Sequence, residues 1–196
     1  MKVVLASGNA GKLRELAALL APHGLELVPQ NVLGVEPVEE TGSTFVANAL
    51  LKARHAASVT GLPALADDSG IEVDALGGRP GVWSARYAGE GASDSANLQK
   101  LLAELTEVPE ERRTARYRCV IAFVRVASDA HPVVTEGTWE GRILLRPCGS
   151  GGFGYDPVFL PLGLERSAAE LESGEKDARS HRGQALRALL ERLPSP

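Results

Sequence analysis

The first twenty-odd residues narrow the fold more than any other stretch. Val3-Val4-Leu5-Ala6 is a short, β-rich apolar run that breaks at Ser7-Gly8-Asn9-Ala10-Gly11. Leu13, Leu16, Ala17 and Leu20 then recur at i, i+3, i+4 and i+7. This reads as a strand, a glycine-containing loop and an amphipathic helix. Pro22 and Gly24 end the helix, and Leu25 to Val28 read as a second strand. A short buried strand beside an amphipathic helix calls for a layered α/β arrangement.

The rest of the chain extends that order. Residues 29–42 are loop-like. A second helix starts near Ser43, an N-cap residue type, and buries Phe45, Ala49, Ala53 and Ala56. Gly61-Leu62-Pro63 stops it. Ala64-Leu65-Ala66 is a strand that runs into Asp67-Asp68-Ser69-Gly70, after which Ile71 to Val73 resume an extended segment. Ser93 opens a third helix with Leu98, Leu101, Leu102 and Leu105 on one face. Residues 114–126 and 132–144 read as two long strands joined in a hairpin at Ser128-Asp129-Ala130-His131. Ser167-x-x-Glu170 carries a capping box for a short helix. Ser180 opens the last helix, with Leu186, Leu189, Leu190 and Leu193 on its buried face. The expected class is α/β: an elongated mixed β-sheet flanked by helices, in one domain spanning 1–196, with two lobes and a substrate cleft between them.

Composition excludes some partners. The net charge is −4, which argues against duplex DNA or an anionic membrane, since both reward a basic face. No stretch approaches the ~18 apolar residues of a membrane span. Met1 to Ala6 is too brief for a signal peptide, so a cytoplasmic protein is expected. The two cysteines, Cys119 and Cys148, lack metal-binding spacing and read as reduced thiols.

Four segments carry residues suited to chemistry. In Ser7-Gly8-Asn9-Ala10-Gly11-Lys12, a loop meets a helix N-terminus, where backbone N–H groups and the helix dipole favour an anion. It is not a Walker A loop, because the glycines are three apart and Leu13 follows the lysine. The plainer alternative is a tight turn with a surface lysine. In Asp67-Asp68-Ser69-Gly70, adjacent carboxylates repel unless a cation or hydrogen bonds compensate, and Mg²⁺ prefers such oxygen ligands. The alternative is an Asx-turn. Glu36, Glu39 and Glu40 either return to the same place or form a solvated acidic loop.

The third segment is Gly149 to Asp156. Phe153 and Tyr155 sit in a glycine-rich frame, where they either stack on a nucleobase or plug the edge of a core. In the fourth, Ser180-His181-Arg182, two side chains that can donate to a carbonyl open a helix. Cations there oppose the helix dipole, which favours a functional reason over a solvated terminus. His23 and His55 have no metal partners at useful spacing, and His131 sits at a turn.

Taken together, the chain resembles the inosine triphosphate pyrophosphatase family, the XTP/dITP diphosphatases that act on non-standard purine nucleoside triphosphates. The matching motifs are Ser7-Gly8-Asn9-x-x-Lys12-x-x-Glu15, Glu40-Thr41-Gly42-x-Thr44-Phe45, Ala66-Asp67-Asp68-Ser69-Gly70, Pro80-Gly81-x-x-Ser84-Ala85-Arg86-Tyr87, Gly151-Gly152-Phe153-Gly154-Tyr155-Asp156-Pro157 and Ser180-His181-Arg182. They follow family order and spacing from residue 2 to about residue 190. Two positions depart: Ser7 stands where Thr is frequent, and Arg179 where an apolar residue is usual.

The resemblance implies hydrolysis of ITP, dITP or XTP to the monophosphate and pyrophosphate, which cleanses the nucleotide pool. It implies a homodimer and a Mg²⁺ cofactor. Ser7, Gly8, Asn9, Ala10, Gly11 and Lys12 would hold the triphosphate, with Lys52 reaching it from the second helix. Asp68 would be the proton acceptor and a metal ligand, with Glu40, or else Glu39, as the second ligand. Ser69 would contact substrate. Phe153, Gly154, Tyr155 and Asp156, with Lys176, His181 and Arg182, would enclose the base. The competing expectations are a pyrophosphatase for modified pyrimidine nucleotides and a nucleotide-binding regulator without turnover.

Overall fold

A computed structural model describes residues 1–20 and 24–193. Pro22 and His23 therefore lie outside the described residues. In chain order the elements are β1 (Lys2–Leu5), α1 (Ala10–Leu20), β2 (Glu26–Pro29), α2 (Phe45–Thr60), β3 (Ala64–Val73) and α3 (Asp94–Glu104). They continue with β4 (Thr114–Val124), β5 (Val133–Ile143), β6 (Phe159–Pro161), α4 (Ser173–Arg179) and α5 (His181–Leu190). The strands form one mixed sheet in the order β2-β1-β3-β4-β5-β6. β1 runs parallel to both β2 and β3, and β6 runs antiparallel to β5. The expected α/β class and mixed sheet flanked by helices are what is found.

The chain forms two compact units. The first comprises Met1–Asp68, Cys119–Gly137 and Arg182–Pro196, and the second Ser69–Arg118 and Thr138–His181. The first unit is centred on Val3, Leu5, Leu16, Leu20, Leu65, Ile121, Phe123, Leu186 and Leu189. The second is centred on Ile71, Val73, Leu98, Leu101, Leu105, Tyr117, Trp139, Ile143 and Phe159. Burial of such side chains contributes about 1.5–3 kcal/mol each relative to exposure.

Local signals explain most boundaries. Ser93 caps α3 by accepting from the Ala96 N–H at 3.2 Å. α2 is capped one residue later than expected: Thr44, not Ser43, accepts from the Ala47 N–H at 3.1 Å. α2 ends at Gly61, whose φ of 67° is left-handed and costs glycine little. The capping box at Ser167 and Glu170 forms, but it closes only a three-residue 3-10 turn, Ala168–Glu170. Ala17 departs from the expected stripe and is exposed, while Leu16 and Leu20 carry α1's burial.

The largest departure is at Asp67-Asp68-Ser69-Gly70. These residues do not turn: β3 runs unbroken from Ala64 to Val73. Two carboxylates in a buried strand require partners from elsewhere in the chain.

Candidate functional site

β1 and β3 lie side by side, with Val4 opposite Ala64 and Leu5 opposite Leu65. Because they are parallel, the loop after β1 and the Asp67-Asp68 pair lie toward the same end of the β1–β3 pairing, its carboxyl end. In open α/β sheets, ligands bind at this end.

Asp68 is 5% exposed. Its Oδ1 accepts from Lys52 Nζ at 2.9 Å, and its Oδ2 accepts from Asn48 Nδ2 at 3.2 Å. The same ammonium lies 2.6 Å from Glu40 Oε1. One cation therefore joins the two carboxylates expected to bind metal. Burial pushes the Asp68 carboxyl up, Lys52 and Lys12 pull it down, Glu40 adds repulsion, and the net direction is upward. Burial opposes the charge on Lys52, but Asp68 first, then Asp67 and Glu40, hold its pKa above the usual lysine range. Glu39 is exposed. Glu40 shares a cation with Asp68.

Asp67 has a different environment. It is 1% exposed, and its Oδ2 lies 2.8 Å from Lys12 Nζ and 3.6 Å from Arg182 Nε. Burial alone would raise its carboxyl. Lys12, then Arg182 and Lys52, outweigh this and hold it well below the usual carboxylate range. Arg182 is itself buried and also pairs with Glu15.

In the loop after β1, Asn9 caps α1. Its Oδ1 accepts from the N–H groups of Gly11 at 2.9 Å and Lys12 at 3.1 Å. Those two amides already have an acceptor, so an anion at this helix start would compete with the Asn9 side chain. Ser7 and Gly8 line a cavity of about 240 Å³ together with Leu13, Gln30, Val35 and Glu36.

The second unit holds the aromatic group. Asp156 is buried. Its Oδ2 accepts from Lys176 Nζ at 2.7 Å and the Phe153 N–H at 2.9 Å, and its Oδ1 accepts from the Tyr117 hydroxyl at 3.2 Å. Gly152 has φ of 69°, and a Cβ there would lie 2.1 Å from Asp156 Oδ2. Gly152 therefore lets the loop pass close against this carboxylate. Lys176 Nζ sits 4.8 Å over the half-buried Phe153 ring. His181 stacks on Tyr117 with centroids 4.6 Å apart. The Gly154 N–H donates to Asp94 Oδ2 at 2.7 Å. Tyr155 is a core residue whose hydroxyl donates to the Ser84 carbonyl at 2.8 Å, and burial pushes its pKa upward. Of the two loop aromatics, only Phe153 keeps an accessible ring.

Comparison with known proteins decides the family. A model described as the Ham1 family matches residues 3–192. The chain belongs to the Ham1 family. It is 60% identical to the dITP/XTP pyrophosphatase of Shigella flexneri over 192 residues, which is 98% of each chain. Among solved structures, a HAM1 protein from Coxiella burnetii superimposes with a TM-score of 0.90 at 49% identity, covering 97% of both chains. A nucleoside-triphosphatase / dITP/XTP pyrophosphatase from Mycobacterium abscessus does so at 0.77 and 50% identity, covering 97% of this chain and 99% of that one.

Within this Ham1 chain the expected residues fall into two sets. Ser7, Gly8, Lys12, Glu40, Lys52, Asp68 and Arg182 belong to the first unit. Ser69, Phe153, Gly154, Tyr155, Asp156, Lys176 and His181 belong to the second. His181 and Arg182 are consecutive on α5, where neighbouring side chains point about 100° apart. Hence His181 meets Tyr117, whereas the Arg182 guanidinium faces Glu15 and Asp67.

Sequence reasoning missed Asn48, Tyr117 and the anchoring role of Glu15. Asn48 left one signal: it stands four residues before Lys52, on the same face of α2. Gly70 has a firm structural reason as well. A Cβ there would lie 2.3 Å from the Gly81 carbonyl oxygen and 2.5 Å from Ser84 Oγ.

Among the described residues, no helix is long and apolar enough to cross a membrane.

Proposed function

We propose that the chain hydrolyses non-standard purine nucleoside triphosphates (ITP, dITP and XTP) to the monophosphate and pyrophosphate. The observation that carries this is the partly buried Asp68–Lys52–Glu40 arrangement, just past the stretch of β3 that pairs with β1. The 60% identity to a dITP/XTP pyrophosphatase supports the substrate class.

A divalent ion suits these residues. Glu40 and Asp68 already converge on one cationic group, and both offer the hard oxygen ligands that Mg²⁺ prefers. Among the described residues no three His, Cys, Asp or Glu side chains form a metal cluster. The protein would supply two carboxylates, and phosphates and waters the remainder, as is usual for Mg²⁺. Mg²⁺ held by Asp68 and Glu40 would neutralise charge developing on the departing pyrophosphate.

The chain's own residues do the rest. Lys12 and Lys52 present ammonium groups to the triphosphate, adding electrostatic stabilisation. Asp68 orients a water toward the α-phosphorus and accepts its proton. Asp67 stays ionised and fixes Lys12. Phe153 offers a ring face to the base, and His181 a donor to a C6 carbonyl. Adenine carries an amino donor at C6, so it would meet a mismatched donor.

The test is pyrophosphate release with and without Mg²⁺, over ITP, XTP, dITP, GTP, ATP and modified pyrimidine triphosphates. Mg²⁺-dependent release from ITP, dITP and XTP, with ATP far slower, is expected. Equal rates on ATP and ITP would remove the base reading, and binding without release would make the protein a regulator. A cytoplasmic location and a homodimer belong to the same reading, and the homodimer rests on the family resemblance alone. Sedimentation velocity tests the dimer.

A further inference from the structure

Asn48 is completely buried on the inner face of α2, and its carboxamide is used at both ends. Its Oδ1 accepts from the Gly42 N–H at 2.8 Å, and its Nδ2 donates to Asp68 Oδ2 at 3.2 Å. Gly42 lies two residues after Glu40, in the segment that leads into the Thr44 cap. That segment packs closely onto α2: a Cβ on Gly42 would lie 2.5 Å from Asn48 Oδ1 and 2.8 Å from Ala47 Cβ. We infer that Asn48 is a positioning residue that ties the Glu40-bearing loop to the Asp68 carboxylate, so that the two carboxylates keep a fixed separation.

The chemistry calls for a carboxamide. The Gly42 amide needs an acceptor and the Asp68 carboxylate needs a donor. Asn offers one of each on a short side chain, in a single orientation. Asp would satisfy Gly42 but turn an acceptor toward Asp68. Leu would satisfy neither and would leave a buried N–H stranded. Lys52 alone does not replace this tie. Its ammonium joins the two carboxylates through a long, flexible stem, whereas Asn48 holds the loop's backbone. Lys52 would also turn toward phosphate when substrate binds, while Asn48 stays buried with its two bonds. A residue that supports a metal-binding or catalytic carboxylate in this way typically contributes 10–100-fold to metal affinity or activity. The inference rests on the proposed role of Glu40 and Asp68 as a pair.

Asn48→Asp on the full chain is the test, read by ITP turnover and by Mn²⁺ binding to the nucleotide-free protein, followed by electron paramagnetic resonance. kcat should fall at least about 10-fold with KM for ITP within about twofold, and Mn²⁺ affinity should fall about 10-fold. Gly42→Ala, which pushes the loop off an intact Asn48, should shift the same quantities in the same direction. It decides the matter if Asn48→Asp does not fold by circular dichroism. Folded variants with kcat and Mn²⁺ affinity both within twofold of the parent would overturn the inference. So would KM rising as far as kcat falls. If the parent released no pyrophosphate while Asn48→Asp still weakened Mn²⁺ binding, the proposed activity would fail and this inference would stand.

Discussion

Each of the two units sets a lysine against a buried aspartate at nearly the same distance: 2.7 Å for Lys176–Asp156 and 2.9 Å for Lys52–Asp68. Their surroundings differ. Asp156 faces one ammonium and two neutral donors, the Phe153 N–H and the Tyr117 hydroxyl, with Gly152 close against it. In the first unit, the ion pairs join three cations, Lys12, Lys52 and Arg182, to four carboxylates, Glu15, Glu40, Asp67 and Asp68. The first arrangement is balanced and holds a loop in shape. Counted over these ion pairs among the described residues, the second holds one carboxylate more than cations and suits a further positive charge. The same pair of residue types can thus sit in a balanced or a carboxylate-rich setting, depending on what surrounds it.

Lys176→Met would break the balanced pair and should give the largest effect. It strands a buried carboxylate, which costs about 3–5 kcal/mol when one partner of a buried ion pair is removed. Urea unfolding reads this directly, and a loss below about 1 kcal/mol would mean that Asp156 is not held mainly by charge. Asp68→Asn should behave in the opposite sense, cutting turnover about 100-fold or more while nucleotide binding persists. Its effect on stability follows from the sign of the shift. A carboxyl whose folded pKa is raised contributes stability that is present below its ordinary pKa and lost as pH rises through the folded value. The stability of Asp68→Asn relative to the parent should therefore improve as the pH rises through that folded value, which urea unfolding over a pH series reads. A stable variant with near-parental turnover would remove Asp68 from the reaction.

Asp67 sharpens the contrast within the first unit. Its folded pKa is depressed, so the ionised form is favoured by folding. That stability is present above the ordinary carboxylate value of about 4 and is lost as pH falls through the folded value. Asp67→Asn should therefore be less stable than the parent at pH 7, and the gap should narrow as the pH is lowered below about 4. Urea unfolding at pH 7 and pH 3 measures it. A gap that does not change with pH would mean that Asp67 acts through shape rather than charge.

Much of this architecture is legible in the amino-acid sequence. Apolar periodicity places α1, α2, α3 and α5, and the loop after β1 and the glycine-rich loop between β5 and β6 stand out by their residue types. Long-range pairing is not legible in the same way. Asp67-Asp68 looks like a turn locally, because two adjacent carboxylates can be buried only with Lys12 and Lys52 beside them, and these come from other helices. Asn48 is inconspicuous in an alanine-rich helix until Gly42 and Asp68 are placed at its two ends. The separation of His181 from Arg182 depends on the helical rotation at the start of α5, which spacing along the chain does not reveal.

The smallest expected effect tests whether the first unit's arrangement depends on the general stability of α2 or on its own contacts. Thr44 caps the helix that carries Asn48 and Lys52, but its hydroxyl touches neither of them; it accepts from the Ala47 N–H. Thr44→Ala should cost about 1 kcal/mol, the usual penalty for losing such a cap. Asn48 stays tied to Gly42 and Asp68, and Lys52 to Glu40 and Asp68, so a frayed first turn leaves these bonds in place. Turnover of ITP per folded molecule should then stay within about twofold of the parent while the thermal midpoint drops by about 2–4 °C. A fall in turnover as large as that expected for Asn48→Asp would show that the carboxylate pair is set by the helix start as a whole, and not by the single carboxamide.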